Sequence, residues 1–266
     1  MQQEPWILPD KLWKKFQSVV PVHPRSPLGG RPRKDDKIIL AAIMFLLSTG
    51  IQWKALPNCF GVSSSTVHAR FKEWTKLRLF WKTWRNCLKS LNKRGKLAWT
   101  WLSLDGSMTK SPLGGEETGI NPTDRSKRGT KRSVMTDRKG IPIGVVVSGA
   151  NRHDSKLLKA TLNSMPIKPP KEKRRRPNLC LDKAYDSKKI RQMVSRRKYV
   201  GHIRKRMEEI EEKKRNPSYK ARRWVVERTH SWLNRFRRLI IRWEKKIDNY
   251  LSFVYLACAV IAARSL

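Results

Sequence analysis

Residues 97–105, Leu97-Ala98-Trp99-Thr100-Trp101-Leu102-Ser103-Leu104-Asp105, decide how the chain is read. A mostly apolar, aromatic run of this kind reads as a buried strand, and it ends on a carboxylate. The pattern recurs at Asn178-Leu179-Cys180-Leu181-Asp182. A carboxylate at the end of a buried strand is held rigidly at the sheet's edge, where function gathers in open α/β sheets. A third acid, Glu227, lies in the helical stretch 219–228. Working outward, residues 131–137 and 141–148 form two strands joined as a hairpin across Arg138-Lys139-Gly140. A helix is predicted over 155–163, another over 187–198, and a short strand over 199–203. Strand, hairpin, helix, strand, helix, strand, helix is an α/β order with mixed strand directions, covered by helices.

The N-terminal third reads differently. Asp35 and Asp36 can cap a helix through IILAAIMFLLST, and Gly50 stops it. A Gly-containing turn and a serine cap then open a second helix with Val67, Phe71 and Trp74 on one face. An apolar helix, a tight turn and a basic polar helix suggest a helix-turn-helix. In that reading Ser64, Thr66, His68, Arg70 and Lys72 include the groove- and phosphate-facing residues; a plain helical bundle is the competing account. A further helix over 80–91 leads to the basic hinge 92–96. The chain accordingly divides into a helical DNA-binding part, 1–95, and a catalytic part, 96–266.

Composition narrows the partner. The chain has 266 residues with 60 Lys+Arg against 21 Asp+Glu, a net charge of +39, yet 39% of it is hydrophobic and it holds 11 Trp. It can build a core, and its charge demands a polyanion, with nucleic acid foremost. The four cysteines form no CxxC pair, which disfavours a zinc site or a disulfide framework and suits a reducing cytoplasm. The apolar stretches 38–51 and 250–263 fall short of the roughly 20 residues that span a bilayer, so both read as buried helices. The basic segment 169–177 reads as a loop.

Three carboxylates can hold two divalent ions for phosphodiester chemistry. Hard Mg²⁺ prefers carboxylate oxygens and keeps several waters. Asp105 would bridge the ions, Asp182 would complete one shell and Glu227 the other, with Mn²⁺ as a substitute. Asp186 reads better as a helix cap; Asp124, Asp137 and Asp154 read as structural or DNA-side residues. Arg223, Glu227 and His230 share one helix face. Residues 217–246 carry ten Lys/Arg against two Glu, interleaved with Trp224, Trp232, Phe236 and Trp243. The aromatics read mostly as core, and Arg223, Arg228, Arg235 and Arg238 as DNA contacts.

The segments beginning DGSMTKSPLGG at 105, LCLDKAYDS at 179 and NPSYKARRWVVERTHSWLNRFRRL at 216 resemble the transposases of the fifth family of bacterial insertion sequences. GRPRKDD, TGIQWKALPNCFG and STVHARFKEW match the helix-turn-helix region of that family. The resemblance implies an RNase H-like catalytic domain, a mixed five-stranded sheet with flanking helices, and an Asp-Asp-Glu triad on Asp105, Asp182 and Glu227. It implies transposition with Mg²⁺, terminal inverted repeats and target DNA as partners, a homodimer on DNA, and a bacterial cytoplasmic, nucleoid-associated protein. Arg125, Lys127, Arg128 and Lys131 would clamp DNA near the site. Related transposases carry Tyr-x-x-Arg-x-x-x-Glu and a later Lys; here Lys220 takes the Tyr position, and Asn234, then Arg235, stand near that of the Lys. The competing functions are a catalytically silent DNA-binding regulator and a nuclease that cuts without joining.

Overall fold

The computed structural model describes residues 7–24, 29, 32–170, 176–203, 214–215 and 224–266. Among them, six strands form one mixed sheet: β1 (Trp101–Lys110), β2 (Gly119–Ile120), β3 (Arg128–Thr136), β4 (Pro142–Gly149), β5 (Asn178–Leu181) and β6 (Val200–Ile203). The five principal strands lie in the order β4-β3-β1-β5-β6, and the short β2 extends the β4 edge of β3. β3 is antiparallel to both β1 and β4, whereas β5 is parallel to both β1 and β6. An antiparallel triplet followed by a parallel pair is the RNase H-like order.

β1 does not stop at Asp105. Past it the sequence turns polar (Gly106-Ser107-Met108-Thr109-Lys110), so the apolar signal fades, but the ladder to β3 runs on to Lys110. β5 ends at Leu181. Asp105 therefore sits mid-strand, at the level where its parallel neighbour leaves the sheet.

Neighbouring residues of β3 show what covers each face. Ser133 meets Thr161 of α5 (Asp154–Asn163) at 2.8 Å, and Arg132 donates to Asn234 of α6 (Trp224–Asn234) at 2.7 Å. Successive side chains of a strand point to opposite faces, so these two helices lie on opposite sides. A further helix, α7 (Lys188–Arg196), packs beside β6.

The N-terminal part is helical, with α1 (Asp10–Gln17), α2 (Asp36–Thr49), α3 (Ser64–Lys76) and α4 (Leu79–Lys93). Asp35 caps α2 by accepting from Lys37 N–H, and Gly50 ends it with φ of 73°. Ser63 caps α3. The expected tight turn between α2 and α3 is instead the segment 50–63. It contains two 3₁₀ turns and buries Leu56, because Trp53 and Leu56 need room to reach the core.

The last helix, α8 (Ile247–Ala263), is apolar on every side and buried, as such a helix must be. It packs along α4, and Phe253 stacks on Phe71 of α3 with ring centroids 4.6 Å apart. The hydrophobic core thus runs unbroken across residue 95. No helix among the described residues is long and apolar enough to cross a membrane.

Candidate active site

Ser103 pairs with Cys180 in the parallel β1–β5 ladder. Asp105 and Asp182 each lie two residues further on, Asp182 just past the end of β5, and side chains two residues apart along extended backbone share a face. The backbone at Asp182 is still extended, with φ of −75° and ψ of 165°. Asp105 also pairs with Val134, which alternates with Arg132 on the α6 side of the sheet. Both aspartates thus occupy the face that Glu227 overlooks from α6, where that carboxylate is exposed.

Burial pushes Asp105 up to about 6. The Gly106 N–H, which donates to Oδ1 at 2.8 Å, opposes this, while Asp154, Asp182 and Glu227 reinforce it. The three acids named from the sequence are thus electrostatically joined at one place. Among the described residues no three carboxylate, imidazole or thiol groups are gathered closely enough to hold one ion. Pairs of carboxylates that share ions with substrate phosphates fit the habits of Mg²⁺, which binds one or two protein carboxylates and keeps waters.

Two further sets of residues surround the acids. On the α6 face, Arg132 is 1% exposed, with Nε and Nη1 buried and unpartnered. It reaches Asn234, which stands near the place of the lysine in related transposases. His230 is buried against the Asp105 backbone; burial, then Arg132, lowers it to about 4, so its ring is neutral. On the opposite face, Asp154 lies directly behind Gly106, paired with Lys131 at 3.1 Å.

A sequence profile described as "Transposase DDE domain" matches residues 100–262. The chain belongs to the DDE transposases. A second profile, "Putative transposase of IS4/5 family", matches residues 8–84 of this transposase. It is 36% identical over 158 residues to the "Putative transposase for insertion sequence element IS402" of Burkholderia cepacia, covering 58% of this chain and 72% of that protein. The "Insertion element IS402 uncharacterized 16.2 kDa protein" of the same organism is 25% identical over 119 residues, 44% of this chain and 81% of that one. Similar solved structures include a piggyBac transposase synaptic complex with hairpin DNA (TM-score 0.48, 10% identity, 96% of this chain and 70% of that one). The catalytic domain of Mos1 mariner transposase is another (TM-score 0.29, 11% identity, 69% and 92%). The protein is a DNA transposase, and dependence on a divalent metal comes with the family.

The transposase places its expected DNA contacts unevenly. Arg125, Lys127 and Arg128 are exposed around the β2–β3 turn, and Arg235 is exposed after α6. Arg228 is half-buried, its guanidinium 4.7 Å and 4.8 Å from the Trp224 and Trp232 rings, and it donates to Lys139 O. Arg223 lies outside the described residues. Three expectations are corrected by burial. Arg70 is inside, paired with Asp36 and with Glu73. Lys131 is inside, paired with Asp154. Arg238 is inside, bonded to Glu244 at 2.8 Å and to Ile51 O. On α3, Ser64 and Thr66 are half-buried, and His68 packs on Trp53 at 4.7 Å with burial lowering its pKa. The outward stripe of α3 is Ser65, Ala69, Lys72 and Lys76. Of the residues expected to face DNA from α3, Lys72 alone lies on it.

Proposed function

We propose that this transposase binds the terminal inverted repeats of its element through residues 1–95 and cuts and joins DNA at Asp105, Asp182 and Glu227. The observation that carries the reading is the placement of Asp105 and Asp182 where β5 leaves the sheet, on the face that Glu227 overlooks. Asp105, Asp182 and Glu227 would hold the divalent metal. Two Mg²⁺ ions, or Mn²⁺ in their place, would supply Lewis-acid chemistry there, for water and then a DNA 3′-hydroxyl as nucleophiles.

The chain's own groups do the rest. The Gly106 N–H fixes Asp105 Oδ1, so the carboxylate is set before any ion arrives. Burial, then Arg132, keeps the pKa of the buried His230 low, so it adds no competing charge beside Asp105. Arg125, Lys127 and Arg128 present cations at the β2–β3 turn for the DNA backbone. Lys72 and Lys76 do the same from α3. Two element ends must be brought together, which a homodimer on DNA provides.

The test is Mg²⁺-dependent nicking and joining of DNA carrying the element's ends, with wild type beside Asp182→Ala and Asp105→Ala. Both products should vanish in each variant while end binding persists, because binding rests on cations elsewhere. Cleavage retained by either variant would remove that residue from the site.

A further inference from the structure

The sheet face behind Asp105 holds a buried polar cluster that strand cleavage itself does not use. Gly106 faces Ser133 across the β1–β3 ladder, and a Cβ at Gly106 would overlap Asp154 Oδ1 and crowd the Lys131 side chain. Lys131 is 4% exposed; its ammonium donates to Asp154 Oδ2 at 3.1 Å and to Arg152 O at 2.8 Å. Asp154 Oδ1 is left buried without a hydrogen-bond partner.

Tyr185 closes the other side. It is 1% exposed, and its hydroxyl is also buried without a hydrogen-bond partner. Burial, then the charges of Asp154, Asp105 and Asp182 in that order, hold the phenol far above its ordinary pKa, and the neighbouring Ser133 hydroxyl opposes this. An orphaned donor therefore lies within the field of an orphaned acceptor, and one bond, direct or through water, would satisfy both. The Tyr185 N–H already bonds Asp182 O at 3.0 Å, so this side chain belongs to the turn that carries the second acid.

We propose that Lys131, Asp154 and Tyr185 form a positioning cluster that fixes Asp105 and Asp182 relative to one another. Asp154, neutralised by Lys131, is the wedge against Gly106; Tyr185 links that wedge to the Asp182 turn. The inference rests on the reading of Asp105 and Asp182 as metal ligands. Groups behind the ligands of a metal site are worth roughly 10–100-fold in metal affinity or activity.

The experiment uses full-length Tyr185→Phe, Asp154→Asn and the double variant, with Asp105→Asn as reference. Tyr185→Phe removes one oxygen and keeps the packing, so it stays informative should Asp154→Asn fold poorly. The readouts are the Mg²⁺ concentration for half-maximal end cleavage, direct Mn²⁺ binding without DNA, end-DNA affinity and melting temperature. Each single variant should raise the Mg²⁺ requirement and weaken Mn²⁺ binding by roughly tenfold, with DNA affinity unchanged. The double variant should be no worse than the poorer single one, because both act on the same contact. Wild-type metal dependence in Tyr185→Phe, or additive losses in the double variant, would overturn the proposal. Cleavage by Asp105→Asn would instead overturn the underlying metal-site reading.

Discussion

Asp105 is a carboxylate placed where its charged form is least welcome. Its pKa rises from 3.8 to about 6 on folding, so the native state binds that proton more tightly than the unfolded chain does. This contribution to stability is present below about pH 4 and is lost as pH rises through about 6. At pH 7.5 the cost is about 3 kcal/mol, from about 1.4 kcal/mol per pH unit over the rise. In metal-free buffer, Asp105→Asn should therefore melt higher than wild type at pH 7.5, the gap closing as pH falls towards 4; equal melting at pH 7.5 would show that the burial carries no cost. Mg²⁺ should raise the melting temperature of wild type and not of the variant, since only the former binds it. The three acids were legible in the sequence because two follow apolar strands and one sits on a helix beside its neighbours. Asp154 was not, because what makes it matter comes from β1 and β3, and no local pattern joins Gly106, Lys131 and Asp154.

At the level of elements, α3 shows how a face is misread. Ser64, Thr66, His68, Arg70 and Lys72 alternate by two, which is the period of a strand; a helix repeats every 3.6 residues and brings Ser65, Ala69, Lys72 and Lys76 together outside. Arg70 and Lys72, both drawn from the basic face of the sequence, thus have opposite roles. Arg70→Met leaves Asp36 without its buried partner and should cost roughly 3 kcal/mol, read as a fall in denaturation midpoint. Lys72→Glu with Lys76→Glu should leave that midpoint unchanged and weaken DNA binding, read by titration with end DNA. The reverse pattern would put the DNA face elsewhere on the helix. The β3–β4 hairpin was legible because Arg138-Lys139-Gly140 interrupts two apolar runs. Asp137, read as structural or DNA-side, is its hub: it is fully buried and accepts from Ala98, Lys139 and Ile141 N–H, joining the hairpin to the approach of β1. Asp137→Ala orphans these donors and should cost roughly 3 kcal/mol, measured by the same denaturation.

For the whole molecule, the net charge of +39 and the shared core act on different properties. The charge governs association. With six to ten phosphates contacted, DNA affinity should fall by roughly 10³–10⁵ between 50 and 200 mM salt, and a flat response would mean that the cations serve something else. The core governs folding. Residues 1–95 and 96–266 read as separate parts because composition and periodicity change near residue 96, but periodicity cannot reveal that α8 returns to lie along α4. Phe253 on Phe71, the bond from Trp84 Nε1 to Pro142 O at 3.0 Å, and Arg238 on Ile51 O all cross the same boundary. The packed core therefore does not stop at that boundary. Full-length protein should unfold in one transition, with tryptophan fluorescence and far-ultraviolet circular dichroism coinciding. A chain of residues 96–266 alone would leave the α4-facing side of α8 in water, a contiguous apolar surface of the kind that drives association. It should bind a hydrophobic dye, aggregate and lose cleavage even though Asp105, Asp182 and Glu227 are all present. A soluble, cooperatively folding 96–266 fragment would show instead that the sheet and its own helices suffice. DNA binding by the N-terminal helices would then reach the acids only through DNA, and not through α8, Arg238 and the packed core between them.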